Sequence, residues 1–147
     1  MKHMCATLLL LCSTPEVDLH TKFINEVKVC AIQYNSILPE QDRIPLLLVI
    51  AQAVHESAYG TSRFAKSAKN IFGVRATGDD EYILSLRTGK KVKKYNSWCE
   101  STEDYIDLLL TSKHYTSFQK ELINQWFTDD IDVNKLVDTL DLYAEDV

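Results

Sequence analysis

One glutamate in this chain stands where a side chain could perform acid catalysis. Glu56 follows the run from Ile44 to Val54, which consists almost entirely of Leu, Val, Ile and Ala. A helix through that run would be mostly buried and would deliver Glu56 to the point where the chain leaves the core. A carboxyl group in such a place keeps its proton to a higher pH than an exposed one. Cleavage of a glycosidic bond needs that property, because the leaving oxygen must be protonated at near-neutral pH.

Other catalytic chemistries fit the sequence less well. His55 and Glu56 begin a His-Glu-x-x-His zinc motif, but position 59 is Tyr, so the second imidazole is missing. Neither His20 nor His114 has the spacing to complete a metal site. No nucleophile pattern of the Ser-His-Asp or Cys-His type is present. We therefore expect no metal and no organic cofactor.

Four separate blocks of the sequence share their order and spacing with one known family. The blocks are Ala51 to Phe64, Asn70 to Val74, Lys94 to Trp98 and Ser112 to Tyr115. Together they resemble the bacterial and phage N-acetylglucosaminidases of glycoside hydrolase family 73, including its Bax-like branch, and the tail from Leu136 to Asp146 is similar to that family's last helix. The resemblance implies a mainly α (α+β) fold, lysozyme-like, with a small β-hairpin lobe. It also implies hydrolysis of the β-1,4 bond after N-acetylglucosamine in peptidoglycan, with Glu56 as general acid.

The second catalytic group is less clearly marked. Hydrolysis by two carboxylates needs a partner that activates water or stabilises the oxocarbenium-like transition state. In the resembled family a candidate acid lies in the β lobe. We predict Glu81 for this role, followed by Asp80 and Asp79, and we expect Asp80 to contact the substrate. The alternatives are that these three residues form a solvated turn, and that the 2-acetamido group of the substrate acts as nucleophile.

The resemblance also indicates residues that would hold the sugar. Tyr115 aligns with a tyrosine of the family's Asn-Pro-x-Tyr segment, although Lys113 and His114 replace Asn-Pro here. We predict that Asn70 and Phe72 line the cleft floor, where an amide can bond sugar hydroxyls and an aromatic face can stack on a ring. The alternative for Phe72 is a place in the core.

Two rival functions remain open from the sequence. One is cleavage after N-acetylmuramic acid, as a muramidase or lytic transglycosylase, because Glu-Ser followed by an aromatic residue also occurs in those relatives. The other is a cell-wall-binding or phage structural module that has lost turnover. We expect a monomer that contacts peptidoglycan glycan strands. Its place would be the cell envelope or the extracellular space if bacterial, and the virion or the released lysis enzymes if phage.

The elements that must position these residues follow from periodicity and turn signals. Helices are predicted over residues 15–34, 45–59, 62–68, 101–110, 117–127 and 133–143. Thr14 would cap the first helix, Gly60 would supply a left-handed cap after the second, and Ser101 to Asp104 has a capping-box pattern. Two strands, 82–86 and 91–95, would form the hairpin around Thr88-Gly89. Its lysines at 90, 91, 93 and 94 indicate a solvated edge or a contact with anionic peptide stems.

Composition limits the remaining possibilities. The 147 residues, 46% of them hydrophobic, suffice for one domain, which we place at 14–147 after an N-terminal leader or weak signal segment at 1–13. A net charge of −5 argues against general nucleic-acid binding. No apolar run is long enough for stable membrane insertion. The four cysteines lack metal-ligand spacing and are interpreted as free or incidentally paired, with a Cys30–Cys99 bridge as one option.

Overall fold

The chain folds into a helical body with one small β-hairpin. The computed structural model describes residues 15–140. Its helices are α1 (Pro15–Ile37), α2 (Leu46–Ser57), α3 (Arg63–Ser67), α4 (Trp98–Thr111), α5 (Thr116–Thr128) and α6 (Val133–Asp138), with short 3-10 turns at Glu40–Asp42 and Lys113–Tyr115. The strands are β1 (Tyr82–Leu84) and β2 (Lys91–Lys93). The predicted mainly α class with a hairpin lobe is confirmed. Within the described span, no helix is long and apolar enough to cross a bilayer.

Three predicted features lie outside the described residues. They are the leader at 1–13, the cap by Thr14 and the end of the last predicted helix beyond residue 140.

Helix α1 extends three residues beyond its predicted end. The reason is Asn35, a polar residue that we expected to open a loop. Its side-chain amide donates to the Ile44 carbonyl at 2.9 Å and accepts from the Ile44 amide at 3.3 Å, so it pins the connection to α2. Both residues are buried. Because the Asn35 side chain pairs with both the N–H and the C=O of Ile44, Asn35 can be buried without leaving its amide unpaired.

Helix α2 buries one face only, which corrects the expectation of a mostly buried helix. Leu48, Val49 and Ala53 face the core, whereas Leu47 on the opposite face is 65% exposed. Pro45 precedes the first turn, where its missing N–H costs no helical hydrogen bond. The helix therefore separates the core from solvent along its length, and Glu56 near its C-terminus lies half-buried at that boundary.

The end of α2 also differs from the prediction. The helix stops at Ser57, and Ala58, Tyr59 and Gly60 all adopt left-handed conformations, with φ of 49°, 57° and 75°. The left-handed cap is thus Ala58, and Gly60 is needed for a different reason. A Cβ at position 60 would lie 2.7 Å from the Phe23 ring and 2.9 Å from Trp98. Only glycine allows the chain to pass this close to the core.

Helix α4 begins three residues earlier than predicted. Its cap is Ser97, whose hydroxyl accepts from the Glu100 amide, while the Glu100 carboxylate accepts from the Asn96 amide at 2.9 Å. The predicted capping box at Ser101 is therefore wrong. Ser101 is buried, and its hydroxyl accepts a hydrogen bond from the Ile71 amide. The residues that cap the helix, Ser97 and Glu100, lie one turn upstream of the predicted pair.

The hairpin is short and polar. β1 and β2 pair antiparallel with Ile83 opposite Val92, and Val92 is the one buried residue of the two strands. The predicted longer strands fail because Leu84 and Leu86 are exposed, so they gain little from further pairing. An isolated bridge joins Arg75 to Val92, so a third segment of backbone borders β2.

Polar contacts fasten the hairpin to the helical body. The Lys93 ammonium lies 3.0 Å from Asp104 on α4 and 3.7 Å from Asp80, and the Tyr95 hydroxyl donates to the same Asp104 carboxylate at 2.5 Å. We refer to Asp80, Lys93, Tyr95 and Asp104 as the Lys93 network. Burial opposes the charge of Lys93, but the Asp104 carboxylate and, to a lesser extent, Asp80 outweigh it, so the pKa of Lys93 is raised. The lysine accordingly stays charged and keeps both contacts.

A disulfide joins α1 to α4. It links Cys30 and Cys99, which are 69 residues apart in sequence. This was one of the options left open by the sequence. Closing a loop of this length removes entropy from the unfolded chain and stabilises the fold by about 4 kcal/mol in the chain-entropy model. The helical body is thus held by both packing and a covalent bond.

Candidate active site

Glu56 has the environment expected of a proton donor. It is the penultimate residue of α2, and one turn earlier the Gln52 amide donates to its carboxylate at 3.2 Å. Burial raises the pKa of Glu56 above its ordinary value, against a smaller lowering by His55 and by the Gln52 hydrogen bond. Desolvation is therefore the dominant cause. The carboxyl group keeps its proton to a higher pH than an exposed glutamate would.

The backbone after Glu56 is held in an uncommon conformation. The buried Ser57 hydroxyl donates to the Ala53 carbonyl at 2.6 Å and accepts from the Gly60 amide at 2.9 Å. Left-handed Ala58 and Tyr59 each cost about 1–2 kcal/mol relative to right-handed backbone. Such strain persists where surrounding contacts determine it, and it is common at functional sites. Here it turns the chain sharply after the acid and keeps the helix end in place.

The Tyr59 side chain adds one of those contacts. Its ring stacks on His20 of α1 with centroids 3.7 Å apart. A left-handed residue with a bulky side chain is thereby anchored to the first helix. The segment that follows Glu56 is tied to α1 as well as to α2.

Two tyrosines belong to the surroundings of Glu56. Burial raises the pKa of Tyr105, and the nearby Tyr115 and the negative charge of Glu56 raise it further. These effects place the Tyr105 hydroxyl within electrostatic range of both residues. Tyr105 lies on the buried face of α4, and Tyr115 ends the 3-10 turn before α5. Tyr105 is thus within electrostatic range of Glu56 and also of Tyr115, the residue predicted from the family resemblance.

Tyr105 itself was not predicted as a site residue. Its spacing with Ile106 and Leu109 marks it as one residue of an apolar helix face, and that pattern indicates only core. The signal that could have found it is the hydroxyl. A tyrosine in a fully buried stripe needs a polar environment for its O–H, which here is the neighbourhood of Glu56.

The structure corrects the roles expected of Asn70 and Phe72. Phe72 is 0% exposed and stacks on the Tyr105 ring with centroids 4.1 Å apart, so neither ring face is presented to a sugar. The Asn70 amide is buried, donates to the Val74 and Lys93 carbonyls, and accepts from the Phe72 amide. Both residues are therefore buried supports of the site rather than sugar contacts. Phe72 packs against Tyr105, and Asn70 fixes the turn that joins the hairpin to the helical body.

The three acidic residues before β1 have different surroundings. Asp80 is engaged in the Lys93 network and accepts a hydrogen bond from the Thr77 amide at 3.0 Å. Asp79 and Glu81 are exposed. The Glu81 carbonyl accepts from the Lys94 amide at 2.8 Å, while its carboxylate makes no hydrogen bond or ion pair within residues 15–140. The backbone of Glu81 is thus fixed by its hydrogen bond to Lys94, while its carboxylate is available to a ligand.

The arrangement offers proton donation from one half-buried carboxyl group and a second carboxylate on a separate element. Across residues 15–140, no three His, Cys, Asp or Glu side chains are grouped so that they could hold a metal ion.

Comparison with known proteins identifies a matching family model. Residues 33–145 match the glucosaminidase model, described as mannosyl-glycoprotein endo-beta-N-acetylglucosaminidase. That range includes Glu56, Glu81, Tyr105 and Tyr115.

Two curated relatives match over part of their length. The chain is 33% identical to the protein Bax of Escherichia coli (strain K12) over 92 residues, which cover 60% of this chain and 32% of the relative. It is 30% identical to the exo-glucosaminidase LytG of Bacillus subtilis (strain 168) over 118 residues, which cover 74% of this chain and 39% of the relative. The matched part therefore spans less than two fifths of either relative.

Two solved structures share the fold. The catalytic domain of the autolysin Auto from Listeria monocytogenes superposes with a TM-score of 0.55 at 23% identity, covering 97% of this chain and 93% of that one. The glycoside hydrolase domain of FlgJ from Salmonella typhimurium gives a TM-score of 0.52, also at 23% identity, covering 86% and 89%. The hairpin-bearing helical fold is thus one that glycoside hydrolase domains adopt.

Proposed function

The chain belongs to the glucosaminidase family of glycoside hydrolases, and on that premise we propose that it hydrolyses the β-1,4 bond after N-acetylglucosamine in peptidoglycan, as an endo-β-N-acetylglucosaminidase. The observation that carries the proposal is Glu56: a half-buried carboxyl group with a raised pKa, inside the matched range, at the end of a core helix. Family membership supplies the reaction class, and this environment supplies the acid that the reaction needs.

Glu56 acts as the general acid. The protonated form of Glu56, which its raised pKa favours, donates its proton to the glycosidic oxygen as the bond to the anomeric carbon breaks, and Glu56 is left as a carboxylate. The Gln52 amide then stabilises that carboxylate through the hydrogen bond it already makes. Tyr115 holds the sugar next to the scissile bond, a role supported by the electrostatic effect that both Tyr115 and Glu56 exert on Tyr105.

Glu81 is our candidate for the second carboxylate. Its side chain is exposed and has no partner among the described residues, whereas the Asp80 carboxylate is already bound to Thr77 and Lys93. We therefore place Glu81 ahead of Asp80 as the group that activates water or stabilises the positive charge at the anomeric carbon. Asp80 contributes by orienting the hairpin, and any contact it makes with substrate is secondary.

A paired substitution tests the role of Glu81. Glu81→Gln keeps the size of the side chain and removes the charge, so we expect kcat to fall by about a hundredfold. Asp79→Asn, two residues away and equally exposed, is the matched control and should leave kcat near that of the parent. A Glu81→Gln protein with parental kcat would remove Glu81 from the role and leave Asp80, Asp79 and the substrate's 2-acetamido group as candidates.

We place the protein in the cell envelope or outside the cell, acting as a monomer on glycan strands. The Cys30–Cys99 disulfide supports this location, because such bonds persist in oxidising compartments.

The test of the proposed reaction is chemical identification of the new chain ends. Purified peptidoglycan is digested, the products are reduced with borohydride, and the reduced ends are identified by mass spectrometry, with Glu56→Gln in parallel. We expect reduced glucosamine ends from the parent protein alone. Muramitol ends or anhydro-muramic ends would instead assign the protein to the muramidases or lytic transglycosylases. No new ends from either protein, with both folded and bound to the wall, would indicate a binding module.

A further inference from the structure

A pocket is lined by residues of the hairpin and of the start of α3. Its volume is about 350 Å³, and four basic side chains line it: Arg63, Arg75, Arg87 and Lys90. We call it the basic pocket. Neither Glu56 nor Tyr115 belongs to its lining, so the proposed hydrolysis leaves it without a role.

The charge of the basic pocket is unbalanced. No acidic side chain lines it, although the chain as a whole has a net charge of −5. Among the residues that the structure describes, none of its four cationic side chains forms an ion pair, whereas nearby Lys93 has two acidic partners. Like charges gathered around a concave surface repel one another unless an anion is bound between them. The pocket is therefore suited to a negatively charged ligand.

Arg75 provides an independent sign of a missing ligand. Its Nη2 atom is buried and has no hydrogen-bond partner within the described part of the chain. A buried donor without a partner is destabilising, and such atoms are rare in folded proteins. The backbone of Arg75 is fixed by its bridge to Val92, and Arg63 is oriented by a 2.8 Å hydrogen bond from Nη1 to the Leu84 carbonyl. The Arg63 guanidinium group and the Arg75 backbone are thus fixed, while guanidinium donors remain for a ligand.

The basic pocket is close enough to Glu56 for one polymer to reach both. The Ser62 amide donates to the Ser57 carbonyl at 3.0 Å. Standard backbone dimensions then place the Cα atoms of Glu56 and Arg63 at most about 15 Å apart. A substrate that extends over several sugar units, each second one bearing a side branch, covers such a distance.

We propose that the basic pocket binds a carboxylate on the peptide stems of peptidoglycan, and so selects glycan strands that still carry their stems. This inference rests on the proposed function for the identity of the polymer. A planar carboxylate accepts two parallel hydrogen bonds from a guanidinium group, and rotation of the Arg75 side chain toward such a ligand would give its Nη2 a partner. The neighbouring Arg87 and Lys90 add charge at the rim.

The experiment measures binding rather than turnover. The parent protein is titrated with soluble, uncross-linked glycan strands that carry their stems and are free of phosphate-bearing polymers. It is titrated in parallel with the same strands after an amidase has removed the stems and the lactyl carboxylates so exposed have been converted to amides. We expect tighter binding to the stem-bearing material. Arg75→Gln and Arg87→Gln should each weaken that binding by about five- to tenfold and leave binding to the stripped glycan unchanged.

Control variants distinguish the loss of a contact with the ligand from the loss of the folded structure. Lys66→Gln removes an exposed charge from α3 outside the basic pocket and should bind as the parent does. Arg87 is exposed on the hairpin, so its substitution should leave thermal unfolding unchanged even if Arg75→Gln alters it. Equal binding of both materials by the parent would overturn the inference, as would parental binding by both variants or equal losses on both materials.

The outcome is independent of catalysis. Stem-dependent binding that is lost in the two variants would uphold the basic pocket even if the protein released no new chain ends, in which case the proposed hydrolysis alone would fail.

Discussion

The helical body and the hairpin position their parts of the site by different means. Glu56 lies at the end of a helix packed against a core whose side chains are fully buried and whose α1 and α4 are joined by a disulfide. Glu81 lies on a hairpin that buries only Val92 from its two strands and is fastened by the Lys93 network and by the Asn70 amide. The acid is placed by apolar packing and the second carboxylate by a few polar contacts. Damage to the body should therefore unfold the protein, and damage to the hairpin should impair catalysis without unfolding it.

The largest expected effect comes from the core beneath the acid. Phe72→Ala removes a ring that is fully buried and stacked on Tyr105, so the free energy of unfolding should fall by about 3–5 kcal/mol. Urea denaturation followed by circular dichroism measures it. Phe127→Ala is the matched control, because that ring is 75% exposed on α5. A similar loss in the two variants would contradict the assignment of Phe72 to the core.

Reduction of the disulfide should have the next largest effect. Breaking the Cys30–Cys99 bond should lower the free energy of unfolding by about 2–4 kcal/mol, because the unfolded chain regains the entropy of a 69-residue loop. Thermal unfolding with and without dithiothreitol gives the difference. The Cys30→Ser, Cys99→Ser double variant should already have the lower stability and should not respond to the reductant. A response in that variant would point to a second disulfide.

Breaking the Lys93 network should show the opposite pattern. Lys93→Gln removes a partly exposed ion pair, so stability should change by only about 1 kcal/mol or less. Activity should fall more, by about tenfold, because the hairpin that carries Glu81 loses its fixed orientation. Lys94→Gln, an exposed neighbour outside the network, is the control for both kcat/KM and thermal unfolding. Parental activity in Lys93→Gln would show that the hairpin needs no such fastening.

The smallest expected effect is the change in the free energy of unfolding caused by Glu56→Gln. The folded-state pKa of Glu56 is raised, so its protonated form favours folding at low pH, and that contribution is lost as pH rises through the folded pKa. Glu56→Gln, which stays neutral, should therefore be slightly more stable than the parent at pH 7 and equally stable below about pH 4, near the ordinary glutamate value. Melting temperatures across this range measure the difference. A variant less stable than the parent at pH 7 would contradict the buried-charge account.

The same contrast explains what the sequence could predict. The apolar run before Glu56 and the periodicity of α1 and α5 depend on local patterns, and these predicted the helices to within a few residues. The positions of the helix ends were harder to predict, because they depend on contacts with side chains distant in sequence. Ala58 became the left-handed cap of α2 since the chain must turn where Gly60 meets Phe23. Asn35 stayed helical since it binds Ile44.

The site residues also divide into those predictable from local sequence and those that depend on contacts between distant elements. The raised pKa of Glu56 was expected, because an acid after an apolar helix is buried by its own segment. The burial of Asn70 and Phe72, the basic pocket around Arg75 and the part played by Tyr105 were not, since each depends on α4 or the hairpin packing against another element. A motif shows that residues belong together, but only packing decides which of them reach solvent.

The most direct test of the account is the ionisation of Glu56 measured beside the reaction. The side-chain carboxyl of Glu56 is followed by carbon-13 NMR across pH, and kcat/KM on soluble glycan fragments is measured over the same range. Our expectation is that Glu56 titrates above the ordinary glutamate pKa of about 4.3, that the alkaline limb of kcat/KM follows that titration, and that Glu56→Gln abolishes both. An ordinary pKa for Glu56, or parental activity in Glu56→Gln, would contradict it.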